Sequence, residues 1–239
     1  MTNSNPAPSG PFSSRGFIAA AIVIGVIVLA GVIVAVTALT APKGEPSGVA
    51  SAPDSTPAPS GTESVCGLKG YEEVSTLTEA PDNKWELVGT MAAPALGSAA
   101  GPGLDDDGLR YCYARTAEGA LYAAVGYIAA STDISNQPRL YELFAEGAVR
   151  DALEKSNHAG PLSDDRMQVA GFRVINYTPD EATVEVAWRV TTAGSRLVAF
   201  PMVLRWESGD WKLYFSEGGS GFAFRAIQSL GGFIPWAGV

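Results

Sequence analysis

The sequence predicts one α+β domain held at a membrane, and three patterns indicate it. Residues 17–39 contain no charged side chain. Between residues 116 and 155 apolar residues recur at helical spacing, and from residue 167 onward they alternate with polar ones. Helices followed by a run of strands predict a layer of helices on one face of an antiparallel sheet, not alternating βαβ units.

The uncharged stretch 17–39 predicts a transmembrane helix. At 1.5 Å per residue it spans roughly 35 Å, enough to cross a hydrocarbon core of about 30 Å. A cleaved signal peptide is the alternative, but its apolar core is shorter and a small-x-small site follows it. Arg15 precedes the helix, and Lys43 and Glu45 follow it. The flanking charges slightly favour a cytoplasmic N-terminus. The chain is therefore predicted to cross the cell membrane once, with residues 1–16 as a disordered cytoplasmic tail.

Residues 40–64 predict a flexible stalk because they are rich in Pro, Ser and Gly and lack aromatic residues. Residues 65–239 then form the extracytoplasmic domain. Cys66 and Cys112 are the only two cysteines of the chain. Outside the membrane such a pair is expected to form a disulfide, with two buried free thiols as the alternative.

Two helices are predicted in the first half of the domain. Thr116 is a typical N-cap, and the apolar residues that follow it predict a helix through about Ser131. A second helix is predicted from Pro138 to Lys155, since proline suits a first helical turn. The Gly160-Pro161 pair that follows is expected to stop the helix from continuing.

The second half of the domain predicts a four-stranded antiparallel meander. The predicted strands are 167–177, 182–190, 196–207 and one starting at Trp211. Each places its apolar residues on one face, which the helices should cover. In this register Glu185 lies on the solvent face, and Glu207 is out of phase with the apolar set of its strand.

Charge and residue content argue against several classes of function. The net charge is −9 with 16 basic residues, and these form no cluster, which argues against direct nucleic-acid binding. The single histidine, His158, is expected to lie in an exposed loop. Asp105-Asp106-Asp107-Gly108 lacks the ligand spacing of a calcium loop and predicts a solvated turn. No catalytic residue, metal site or cofactor is therefore predicted.

Near the C-terminus, residues Gly231 to Trp236 form an apolar segment that is interrupted by Gly and Pro. It looks too short to be a strand with its own partner. The segment either packs back on the domain or presents Phe233, Ile234, Pro235 and Trp236 as an interface for another chain.

Several local patterns occur in a familiar order. They are Trp85-Glu86-Leu87, the run Tyr111 to Thr116 leading into Glu118 to Leu121, Leu204-Arg205-Trp206 with Gly209 to Leu213, and Gly232 to Trp236. Together they resemble actinobacterial proteins of conjugative and integrative elements. These are similar to membrane-anchored assembly components of type IV secretion systems (TcpC-like, VirB-type) with a nuclear-transport-factor-2-like outer domain.

The resemblance implies a non-enzymatic scaffold of a conjugative transfer apparatus. It also implies helices packed on a curved antiparallel sheet. The expected partners are the membrane, other membrane proteins of the apparatus and further copies of the chain. The alternative is an outer-face ligand-binding or sensing domain with a pocket in the curved sheet.

Overall fold

The computed structural model describes most of the predicted outer domain: residues 63–156, 166–191, 195–216 and 222–237. The predicted tail, membrane helix, nearly all of the stalk, and His158 lie outside these ranges. Within them no helix is both long and apolar enough to cross a membrane.

The helices of the first half follow the prediction only in part. Helix α1 spans Ala117–Ser131, and the Thr116 hydroxyl caps it by accepting from the Gly119 N–H at 3.0 Å. The prediction of one continuous helix from Pro138 to Lys155 is wrong. The chain instead forms a 3₁₀ helix, Ile134–Leu143, and then a short helix α2, Ala148–Ser156.

The break between these two helices is made by the sheet. Phe144 forms a parallel bridge with Leu213, and the Ala145 N–H donates to the Leu213 carbonyl at 2.9 Å. Residues that pair with a strand are extended and cannot continue a helix. Gly147, with φ of 143°, then turns the chain into α2.

The first half also contains two small hairpins that the sequence pattern did not predict. Strands β1 (Trp85–Val88) and β2 (Met91–Pro94) form one, and β3 (Gly103–Leu104) and β4 (Arg110–Tyr111) form the other. The strands are too short to show an alternating pattern.

The second half forms the predicted antiparallel meander. Its strands are β5 (Met167–Tyr177), β6 (Glu181–Val190), β7 (Arg196–Glu207) and β8 (Asp210–Tyr214), paired in chain order. Two short strands complete a six-stranded sheet: β9 (Arg225–Ile227) pairs with β7, and β10 (Ile234–Pro235) pairs with β5.

The main core lies between α1 and one face of this sheet, called the inner face. Val184, Val186, Trp188, Phe200, Met202, Leu204, Trp211 and Leu213 lie on it and are almost fully buried. Helix α1 is buried nearly all round, because the hairpin strand β2 and the 3₁₀ helix also pack on it. The mixed α+β class is therefore confirmed, with the helix on the predicted face.

Candidate functional site

The predicted disulfide is present and lies at the start of the folded domain, next to the predicted stalk. Cys66 and Cys112 are bonded, with their Cα atoms 6.0 Å apart. Beside them the Val65 N–H donates to the Gly209 carbonyl at 2.8 Å, in the turn between β7 and β8. The start of the domain is thus tied both to the segment before α1 and to one end of the sheet.

Asp210 holds this junction together. Its carboxylate is buried and accepts hydrogen bonds from the backbone N–H groups of Cys112 and Tyr113 at 3.0 and 2.9 Å. Lys212 Nζ lies 3.3 Å from the same carboxylate. Cys112 has a positive φ of 59°, which is uncommon outside glycine. The carboxylate fixes this backbone in place, so Asp210 has a structural role that the sequence pattern of a turn did not reveal.

The C-terminal segment, residues 225–236, crosses the face of the sheet opposite the helix, called the outer face. It begins as β9 beside β7, passes over Ala187 and Ala199, and ends as β10 beside β5. Both alanines are fully buried by it. Their small side chains leave room for the crossing.

The four residues of the candidate interface follow the alternation of a strand. Phe233 packs on the outer face, while Ile234 and Trp236 pack towards the main core. Pro235 is exposed. Phe233 and Trp236 are only 9% and 5% exposed, so the segment packs on its own domain. The expectation that it was too short to pair is wrong, because β10 is an edge strand where proline is tolerated.

Trp236 anchors the end of the segment among aromatic rings. It stacks on Tyr122 at 5.8 Å between ring centroids and lies 4.7 Å from Trp85. Its indole N–H donates to Asn83 Oδ1 at 2.8 Å. The segment thereby links the sheet, α1 and the approach to β1.

Gly171 of β5 makes the close approach of β10 feasible. A Cβ atom at this position would lie 2.8 Å from the Ile234 carbonyl oxygen. Such a contact is shorter than any side chain tolerates without movement. The glycine therefore serves the packing of the C-terminal segment.

Glu185 is the largest departure from the sequence prediction. It lies on the outer face as expected, yet it is buried, because the C-terminal segment brings Arg225 over it. Arg225 Nε donates to one carboxylate oxygen at 2.8 Å, and Arg173 Nε donates to the other at 2.5 Å. Both guanidinium groups also lie over the Phe233 ring.

The two arginines stabilise the ionised form of Glu185. Burial alone would raise the pKa of its carboxyl group, but the hydrogen bonds from Arg225 and Arg173 outweigh it, and the pKa is lowered. In the sequence Glu185 is one of several polar residues that alternate with apolar ones along β6, so no local signal marked it as buried. Neither arginine could be assigned to it without the register of the sheet and the path of the C-terminal segment.

The interior between α1 and the sheet is filled by side chains. A cavity of about 10 Å³ remains there, lined by Tyr113, Tyr127, Leu204, Trp211 and neighbouring residues. That volume is about the space of one water molecule. Burial raises the pKa of the Tyr113 and Tyr127 hydroxyl groups, which stay protonated. The Trp188 indole N–H is buried without a partner among the described residues.

A larger groove of about 400 Å³, called the acidic groove, lies beside the turn between β7 and β8. Its charged lining consists of Asp105, Glu142, Glu146, Glu207, Arg150 and Lys212. Tyr111, Leu109 and Leu143 add apolar surface. Four carboxylates and two cations line the groove, and Arg139, which pairs with two of these carboxylates, brings the local net charge to −1.

Arg139 organises one wall of the acidic groove. Its guanidinium contacts Asp105 at 2.5 Å and Glu142 at 2.8 Å. Burial alone would raise the pKa of the Asp105 carboxyl, but the bonds from Arg139 and from the Leu109 N–H outweigh it and lower the pKa. The Asp105 side chain thus closes the turn that was predicted as a solvated one. The described residues contain no group of three His, Cys, Asp or Glu side chains placed to hold a metal ion.

Residues 46–235 match the model of the family described as Domain of unknown function (DUF8175), so the chain belongs to this family. No curated protein and no solved structure matches the chain.

Proposed function

We propose that this member of the DUF8175 family is a non-enzymatic scaffold of a conjugative, type IV secretion-like transfer apparatus, anchored in the cell membrane by residues 17–39. The observation that carries the proposal is the filled interior. With about 10 Å³ free between α1 and the sheet, the domain offers its surface, not an internal pocket, to other molecules. A membrane-anchored domain that binds other molecules through its surface is suited to a role in assembling a protein complex.

The disulfide supports placing the domain outside the cytoplasm. Disulfides form and persist in oxidising compartments. Cys66 is also the residue at which the predicted stalk reaches the folded domain. The bond therefore secures the domain at the point where the tether leaves it.

The motifs behind the family resemblance contact one another in space, which supports treating them as a set. Trp85 lies against Trp236, and the Trp211 indole N–H donates to the Ala114 carbonyl at 2.9 Å. Trp206 packs on Trp211 at 5.4 Å. These contacts join the first half of the domain to its last strands. The order of helix, meander and covered face is consistent with the nuclear-transport-factor-2-like fold that we propose for it.

The alternative, a ligand-binding or sensing domain, would need a pocket in the sheet's concavity. The side chains of Tyr113, Tyr127 and Trp211 occupy the corresponding space. Ligand entry would require them to move. We therefore favour the scaffold.

The proposal is tested on the full-length chain in its native membrane. A C-terminal tag, mild crosslinking in intact cells and mass spectrometry of the purified adducts should identify other envelope proteins, including those encoded beside a transfer ATPase. A matched control replaces residues 17–39 with an unrelated transmembrane helix, and it should keep the same partners. A chain recovered only as a monomer without adducts would contradict the scaffold function.

A further inference from the structure

The two cysteines of the disulfide differ in their access to solvent. Cys66 is exposed, whereas Cys112 is fully buried. In thiol–disulfide exchange a thiolate attacks one sulfur and the other sulfur leaves. A thiol that arrives from solvent therefore meets Cys66, and Cys112 is the leaving group.

Two hydrogen-bond donors contact the buried sulfur of Cys112. Its Sγ accepts from the Cys66 N–H at 3.2 Å. The Ser64 hydroxyl lies 3.1 Å from the same sulfur, and it is the donor because a bonded sulfur carries no proton. The Leu68 N–H donates to the Ser64 oxygen at 2.8 Å and fixes the orientation of the hydroxyl. Both donors stabilise the negative charge that develops on Cys112 when it leaves.

The buried carboxylate beside Cys112 already has its own partners. Asp210 accepts from the backbone N–H groups of Cys112 and Tyr113, and Lys212 Nζ lies 3.3 Å from it. Its negative charge is thus offset by these donors and a cation, which limits its repulsion of a thiolate at Cys112.

The disulfide holds a short segment, residues 63–69, on the domain. Apart from the contacts of Ser64 and Cys66 with the Cys112 sulfur, the hydrogen bond found between this segment and the rest of the described domain runs from the Val65 N–H to the Gly209 carbonyl. From Gly70 onward the chain is paired independently of the disulfide. The Arg115 N–H donates to the Gly70 carbonyl at 3.1 Å, and Tyr71 forms a parallel bridge with Arg115.

We propose that Cys66 is a site of thiol exchange with a dithiol reductant, and that exchange there releases residues 63–69 from the folded domain. One thiolate of the reductant bonds to the Cys66 sulfur, and Cys112 leaves as a thiolate that takes up a proton. The second thiol of the reductant then displaces Cys66. Two electrons pass to the cysteine pair, and the dithiol becomes a disulfide.

In the proposed topology this release lengthens the link between the membrane helix and the domain. Seven residues in extended form add up to roughly 23 Å. This consequence rests on the proposed function. The exchange itself needs only the disulfide and its surroundings.

The first test locates the attacked sulfur. The full-length chain in mild detergent is exposed briefly to reduced glutathione, then unfolded in the presence of N-ethylmaleimide and mapped by mass spectrometry. Tryptic peptides that end at Lys69 and at Arg115 carry Cys66 and Cys112 separately. Glutathione should be found on Cys66 and maleimide on Cys112. Glutathione on Cys112, or a disulfide that reacts only after the chain is unfolded, would overturn the inference.

The second test measures the rate of reduction by dithiothreitol. Ser64→Ala should slow it about five- to tenfold, because the leaving sulfur loses a donor. A purely structural role predicts the opposite, since a looser segment would be reduced faster. Ser75→Ala is the matched control, because the Ser75 hydroxyl also accepts a backbone N–H, from Leu77 at 3.3 Å. A rate for Ser64→Ala equal to or above that of the unchanged chain would contradict the role of the hydroxyl.

The third test follows the release with trypsin after reduction and alkylation. Lys69 lies in the released segment and Lys84 lies beyond it, and both are exposed. Cleavage at Lys69 should become about tenfold faster, while cleavage at Lys84 stays unchanged. Cys66→Ser with Cys112→Ser should show the fast cleavage at Lys69 without reductant.

Two results of the trypsin test would overturn the release. Equal acceleration at both lysines would mean that the whole domain unfolds. Unchanged cleavage at both would mean that the segment stays docked without the disulfide. None of these measurements involves a partner protein, so their failure is distinct from a failure of the scaffold function.

Discussion

The two faces of the sheet are stabilised in different ways. The inner face is a continuous apolar surface, in which Val184, Val186 and Phe200 are fully buried against α1. The outer face is closed by a crossing segment that has one aromatic anchor, Phe233, and one buried carboxylate held by two arginines. The free energy gained by burying apolar surface scales with the buried area and needs no particular partner. The stability of a buried charge depends on each of its ion-pair and hydrogen-bond partners.

This difference teaches which face tolerates change. On the inner face the loss of a side chain removes area and leaves a cavity. On the outer face the loss of one guanidinium leaves a buried carboxylate with half of its hydrogen bonds. The following predictions test this contrast, in order of decreasing effect.

Deletion of residues 231–239 affects both faces at once and should have the largest effect. It removes Phe233 from the outer face and Trp236 from the inner core. Two large aromatic side chains bury roughly 300–500 Å², which corresponds to an upper figure of about 8–12 kcal/mol at about 25 cal/mol per Å². Thermal melting of the full-length chain, followed by tryptophan fluorescence, should show a clearly lower Tm. An unchanged Tm would mean that the segment serves an interface with another chain.

Phe200→Ala should destabilise the inner face by about 3–5 kcal/mol. Phe200 is fully buried and contacts the rings of Trp188 and Phe222. Val203→Ala, on the outer face of the same strand, is the matched control and should cost about 1 kcal/mol or less. Denaturant unfolding measures both. Equal effects would contradict the proposed difference between the faces.

Gly171→Ala should destabilise by about 1–3 kcal/mol, because the added Cβ collides with the Ile234 carbonyl oxygen. The displaced C-terminal segment should also become more sensitive to trypsin at Arg225. Gly231→Ala is the control, since its Cβ would meet only the Ser229 hydroxyl oxygen at 3.5 Å. Equal trypsin sensitivity of both variants would show that β10 does not depend on Gly171.

Arg225→Gln should lower the stability less than Gly171→Ala does, since Arg173 still pairs with Glu185 and the guanidinium is partly exposed. Adding Glu185→Gln should recover part of the loss, because the buried charge is then gone. Urea unfolding of the single and double variants measures the coupling. If the losses in unfolding free energy are additive in the double variant, Arg225 and Glu185 are not energetically coupled.

Acid should weaken the outer face before it weakens the inner one. The pKa of Glu185 is lowered in the folded chain, so its contribution is complete above the pKa of the unfolded carboxyl, about 4.3, and is lost as pH falls through the folded value. Stability of the unchanged chain should therefore fall below about pH 4. Glu185→Gln should show a shallower decline, and identical pH profiles would exclude the cluster as a cause.

The sequence alone determined the parts of this protein that depend on local patterns. The N-cap at Thr116, the extent of α1, the four strands of the meander and the Cys66–Cys112 pair all follow from periodicity, capping or residue count. These signals are repeated over many residues, so single exceptions do not obscure them. The short strands β1 to β4 carry too few residues to show a period.

The tertiary structure decided the features that depend on contacts between distant segments. The strand-like bridge at Phe144 divides the second predicted helix, because pairing with Leu213 outweighs local helix preference. The crossing of the C-terminal segment buries Glu185, which its alternating position had assigned to solvent. The alternation of side chains along a strand shows which face of the sheet a residue occupies. Whether that face is exposed to solvent depends on the segments that pack against it.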